Sequence, residues 1–185
     1  MMLEQQYKMI LKKRGQVWIE TVLYTLIGLA LLGVVLAFVM PRVNQAKDKA
    51  VVDQTIDSLN KLDDKISSIT GAPGNVRQVE FTIKRGELYF YTNEDKIVFM
   101  IKDLSAPYSQ PGQSISIGRV RILSEKGQKY NTITLTLDYS NDVNITFQRT
   151  ESSTPKKFTQ APTPYKFYLT SYSPSGNKEE IDVSQ

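Results

Sequence analysis

Residues 17–40 read Val-Trp-Ile-Glu-Thr-Val-Leu-Tyr-Thr-Leu-Ile-Gly-Leu-Ala-Leu-Leu-Gly-Val-Val-Leu-Ala-Phe-Val-Met. This block limits the folding of the chain more than any other feature. As an α-helix, about 24 residues rise roughly 36 Å, enough to cross the hydrocarbon layer of a bilayer. Lys12, Lys13 and Arg14 stand directly before it, and a cationic flank predicts that this end stays cytosolic with the bulk of the chain outside. No small-residue cleavage pattern follows Met40; Pro41-Arg42 leads instead into a polar helical pattern. A signal of the ordinary secretory kind, cut after the apolar region, is therefore not favoured. The residues alone predict a single-pass membrane protein, N-terminus in and C-terminus out.

Charge follows the same division. Of the net +4, a balance of +3 lies in residues 1–15, where Lys8, Lys12, Lys13 and Arg14 face Glu4. The remainder is near neutral, so the basic balance reflects a targeting segment, and no nucleic-acid partner is expected. The chain has no Cys and no His, which removes Cys/His zinc sites, a Cys nucleophile and a His general base together. Any exported domain must be held by packing without disulfides. There is no phosphate-binding glycine loop, no nucleophile elbow and no cluster of metal-binding carboxylates in the pattern. We expect a structural or adhesive protein, not an enzyme, with no cofactor.

Beyond the block the period becomes helical and one-sided. Val52, Ile56, Leu59, Leu62 or Asp63, Ile66 and Ile69 recur at three- and four-residue steps between charged residues, and Gly71 with Pro73-Gly74 stops the run. Pro41 either kinks one long helix or opens a second one at its first turn. After Gly74 the period falls to two. Val79, Phe81 and Ile83 alternate with polar residues, and Lys84-Arg85-Gly86-Glu87 offers a hairpin turn. Leu88 to Tyr91, Ile97 to Ile101, Ile115 to Ile122 with a bulge at Gly118, Ile133 to Leu137, Val143 to Phe147 and Tyr165 to Tyr172 read as further strands. Residues 151–164 read as an extended loop, and the segment from Ser173 as frayed with a short strand near Ile181. Six to eight strands predict an α+β chain: a long N-terminal helix, then a small antiparallel sheet or sandwich. The segments are 1–15, 16–40, 41–70 and 75–185.

Some polar features carry a bland reading beside a sharper one. The adjacent acids Asp63-Asp64 and Glu179-Glu180 are expected on a solvated helix face or tail. Tyr89, Tyr91, Tyr130, Tyr139, Tyr165, Tyr168 and Tyr172 form either an adhesive aromatic surface or half-buried packing. Asn144-Ile145-Thr146 is the single N-x-[ST] acceptor. Glu20, four residues into the apolar block, either lies at headgroup level beside the basic flank or is neutralised by a partner, because an unpaired carboxylate in hydrocarbon is costly.

The order Arg14-Gly15-Gln16, then Glu20 inside an uninterrupted apolar helix, resembles the class III, prepilin-type signal of archaeal type IV pilins and archaellins. That resemblance covers roughly the first 40 to 55 residues. It implies that a membrane-embedded prepilin peptidase cuts between Gly15 and Gln16, leaving the apolar helix on the mature protein. Gln16 would then be its first residue and Glu20 its fifth, the place where type IV pilins carry a glutamate. The new α-ammonium of Gln16 is charged near neutral pH, and a carboxylate one turn along the same or a neighbouring helix compensates it. Archaellins generally lack that glutamate, so Glu20 favours a pilin. A related pilin pattern has serine where this chain has Trp18. The resemblance also makes Asn144 a candidate N-glycan acceptor, beside the bland reading of a chance sequon on a strand, where it is less accessible than in a loop.

The resemblance implies a filament subunit on the cell surface. It sits in the membrane before assembly, then packs through its N-terminal helix with other pilin subunits, identical or different. The alternatives are a minor pilin or pseudopilin, and a membrane-anchored extracytoplasmic binding domain that uses the same signal.

Overall fold

The computed structural model describes residues 2–175 and 178–185, with side chains from residue 17 onward except that of Ser175. By packing, the chain divides into two units, Met1–Asn44 and Gln45–Gln185. A single helix, α1 (Met2–Ser67), supplies the regular structure of the first unit and opens the second. Helical backbone continues through Pro41, so the proline neither ends one helix nor starts another. The chain is α+β: this helix is followed by two sheets rich in antiparallel pairs.

Ten strands follow among the described residues: β1 (Val76–Phe81), β2 (Glu87–Tyr91), β3 (Lys96–Leu104), β4 (Ser114–Ile117), β5 (Val120–Lys126), β6 (Asn131–Asp138), β7 (Val143–Phe147), β8 (Lys156–Thr159), β9 (Tyr165–Ser175) and β10 (Lys178–Ser184). One sheet has the order β1-β9-β10-β7, the other β4-β5-β6-β3-β2-β8. Alternation decides which face is buried. On β6, Ile133, Leu135 and Leu137 are buried while Thr132, Thr134 and Thr136 are half-buried. In register with them on β3 stand Ile101, Phe99 and Ile97, a cross-strand apolar ladder of the kind that stabilises sheets. The two sheets share one core. The ring of Phe90 on β2 lies 5.5 Å from that of Phe167 on β9 and 6.0 Å from that of Phe147 on β7.

The helix contributes the rest of that core. Val52, Ile56, Leu59, Leu62, Ile66 and Ile69 are each at most 2% exposed. The three- and four-residue spacing of α1 is therefore buried along one stripe, and Leu62, not Asp63, occupies the ambiguous position. The helix ends at Ser67, and Gly71 and Gly74 turn the chain with φ of 81° and 88°, a region open chiefly to glycine.

Four expectations are corrected. Lys84 to Glu87 is no hairpin: β1 pairs with β9 and β2 with β3 and β8, so the segment passes between sheets. Gly86 is needed there, because a Cβ would lie 2.6 Å from the Met100 carbonyl oxygen. Residues 115–122 are not one bulged strand. Ile117 pairs with Val120 across a two-residue turn, and Gly118 takes the φ of 62° that such turns require. The 151–164 segment contains β8, paired with β2. The C-terminal segment is not frayed: β10 lies between β9 and β7, parallel to β7, so the sheets are not wholly antiparallel.

Candidate functional site: the apolar helix and the carboxylates beyond it

Every described side chain from 17 to 44 is exposed. Trp18 is 70% and Phe38 77% exposed, and none of the apolar window is covered. This N-terminal helix is long and apolar enough to cross a membrane. Its few hydroxyls do not oppose that environment. Thr21 Oγ1 donates to the Val17 carbonyl at 2.9 Å and Thr25 Oγ1 to the Thr21 carbonyl at 2.8 Å, so both are satisfied within the helix. Glu20 is exposed on the same segment. Lys12, Lys13, Arg14, Gly15 and Gln16 lie on α1, and their side chains are outside the described residues.

In the second unit three acids of α1, Asp48, Asp53 and Asp63, are held by the domain. Asp48 forms an ion pair with Arg85 at 2.6 Å and accepts from the Ser105 amide at 2.7 Å and from the Ser105 hydroxyl. Burial pulls the Asp48 carboxyl upward, but these bonds outweigh it and hold it below the ordinary carboxylate value. Asp53 accepts from the Tyr108 hydroxyl at 2.6 Å; burial first, then this bond, pushes the Tyr108 phenol up to about 12. Asp63 accepts from the Tyr139 hydroxyl at 2.8 Å and lies 3.8 Å from Arg119, whose guanidinium covers the Tyr139 ring at 4.6 Å. Burial, then the Asp63 charge, raises the Tyr139 phenol.

The expectation of solvated acidic pairs is thus corrected for three of the four acids. Asp64 is exposed, but Asp63 is engaged, because the turn of α1 that buries Leu62 also sets Asp63 against Tyr139. Glu179 and Glu180 lie half-buried on β10. Glu179 accepts from the Ser171 hydroxyl and the Gly71 amide, and Glu180 from Thr146 at 3.4 Å. Pairing with β9 and β7 is a long-range event that the local charge pattern does not carry.

The tyrosines do not form one surface. Of the seven tyrosines named above, Tyr139 is buried, Tyr165 packs on Phe158 and Phe167 at ring distances of 5.1 and 6.0 Å, and Tyr130 and Tyr168 are strongly exposed. Asn144 is half-buried on β7, at the edge of its sheet, and its Nδ2 donates to Glu151 at 2.7 Å. A second polar tie missed by pattern is Asp95. Its Oδ1 accepts from the Ile145 amide at 2.8 Å and its Oδ2 faces the Lys178 ammonium at 3.3 Å, joining the β2–β3 turn to β7 and β10. Its φ of 52° marks a strained turn, but the sequence offers only a common Asn-Glu-Asp turn there. Among the described residues no group of three or more acidic side chains could hold a metal ion.

No family model, curated protein or solved structure matches the chain.

Proposed function

We propose that this chain is a structural subunit of a type IV pilus-like surface filament, processed by a prepilin peptidase at Gly15–Gln16. The observation that carries the reading is the exposed apolar half of α1, opening with Glu20 five positions from a Gly15 that follows three cations. A long N-terminal apolar helix followed by a β-domain is consistent with a pilin-like architecture. An apolar helix uncovered on all sides requires lipid or other helices around it. Lipid serves before assembly and neighbouring subunits afterwards. The basic flank holds the N-terminus inside, so the β-domain lies outside the cell. Glu20 compensates the α-ammonium of Gln16 in the filament core and sets the register between subunits. The role is non-catalytic.

The test is electron microscopy of cells carrying wild type or Glu20→Ala, with the amount of membrane-bound subunit measured in both. The proposal expects filaments only from wild type, at equal subunit levels. Absence of filaments from wild type, with the subunit retained in the membrane, favours the tethered-domain alternative.

A further inference from the structure

The turn after β7 departs from the chemistry such turns usually select. Phe147 and Thr150 exchange backbone hydrogen bonds of 3.2 and 3.1 Å, which makes Gln148 and Arg149 the central residues of a tight turn. Both have positive φ, 51° and 58°. Turns of this form select Asn and Gly, because a Cβ is disfavoured at positive φ. This chain keeps two long side chains instead, and strain of that kind is retained where the side chains are used.

For Arg149 the use is visible. Its guanidinium covers the Tyr172 ring at 4.2 Å, and its amide donates to Asp182 Oδ1 at 2.5 Å. Gln148 has no such account: its amide donates to the Val183 carbonyl at 2.9 Å, but its side chain has no hydrogen bond among the described residues. That side chain lines an open surface cleft of roughly 470 Å³ with Phe147, Thr150, Ser152, Thr154 and Lys156. The wall is fixed from behind, since the Ser152 amide donates to the buried Thr92 hydroxyl at 2.8 Å. The cleft-side groups are not fixed in this way. The Thr154 hydroxyl and the Lys156 ammonium, like the Gln148 side-chain amide, have no hydrogen-bond or ion-pair partner among the described residues. The Lys156 Nζ lies 5.3 Å from the Phe147 ring centre. Among the described residues, no carboxylate lines the cleft.

One ammonium, a side-chain amide and several hydroxyls, with no acid among the described lining residues, disfavour a cation and suit a polyhydroxylated ring bearing a carboxylate. We propose that this cleft binds a uronic-acid unit of an acidic polysaccharide. The carboxylate meets Lys156 in a charge-assisted hydrogen bond, and the ring hydroxyls meet Gln148 and Thr154. The site does not depend on whether the chain assembles into a filament.

Saturation-transfer NMR of the full chain in phospholipid nanodiscs tests this, with digalacturonic acid as probe and cellobiose and inorganic phosphate as comparisons. The expected result is transfer to digalacturonic acid and not to cellobiose, with affinity falling about tenfold in Lys156→Ala and in Gln148→Ala. Both residues are exposed or on a turn surface, and unchanged thermal melting of each variant verifies folding. Arg77→Ala, on the distant strand β1, leaves binding unchanged. Absence of transfer, equal transfer to cellobiose, displacement by phosphate at equal concentration, or indifference to both substitutions would each overturn the proposal.

Discussion

Residues 17–44 and 45–67 of α1 are both helical, yet they are solvated in opposite ways. In the first stretch the large apolar side chains are exposed, Leu31 at 62% and Val35 at 55%. In the second, six apolar residues at helical spacing are at most 2% exposed and face a single core with the sheets, the sixth, Ile69, lying just past the helix end. The difference lies in pattern, not in hydrophobicity alone. A one-sided stripe can be completed by the chain's own sheets, whereas a helix apolar all round must be completed by lipid or by other molecules. The polar residues divide likewise. The acids Asp48, Asp53 and Asp63 each meet a domain side chain, whereas Thr21 and Thr25 bond only to their own helix.

Substitutions at the two stretches should separate them sharply. Leu62→Ala removes a fully buried side chain from the stripe and should cost the β-domain about 2–5 kcal/mol of unfolding free energy, read by denaturant titration. Equal loss from Leu31→Ala would break the comparison, because that side chain is 62% exposed and lies outside the domain core. Next in size is Asp63→Ala. It strips the buried Tyr139 hydroxyl of its acceptor and should cost about 1–3 kcal/mol, with the denaturant slope unchanged.

A smaller effect should appear in acid. Glu87 is held down to about 2, first by a hydrogen bond from Lys157 and then by one from Tyr89. Asp48 is also lowered, burial opposing and the Ser105 and Arg85 bonds prevailing. A carboxylate with a depressed folded pKa stabilises fully above its unfolded value, and that stabilisation is lost as pH falls through the folded one. The domain should therefore lose stability as pH falls below the ordinary carboxylate range, continuing toward about 2 for Glu87. Glu87→Gln and Asp48→Asn should each flatten part of that slope in melting curves taken across pH. The smallest expected change is Leu31→Ala itself, within about 0.5 kcal/mol of wild type for the domain.

What the sequence made legible was whatever depends on local periodicity. The stripe from Val52 to Ile69 and the alternation of Ile133, Leu135 and Leu137 follow from helical and strand geometry alone, and both are buried as that geometry requires. Pairing between distant segments was not legible. Nothing in Lys156 to Thr159 announces an edge strand against β2, and nothing in Lys178 to Ser184 announces a parallel partner for β7. At Gly118 one glycine fits a bulge or a tight turn equally well, and the register of Ile117 with Val120 decides for the turn. For the candidate segment, residue order supplied the apolar span and the Gly15–Gln16 pair. The acids that tie α1 to the domain became visible only with their partners.

The central claim is that the exposed half of α1 is retained after processing and serves assembly. It is tested most directly by mass spectrometry of the mature N-terminus in the native membrane, for wild type and Gly15→Val. The account predicts a start at Gln16 that is lost in the variant. An intact Met1 in wild type, or a start beyond Met40, would contradict it.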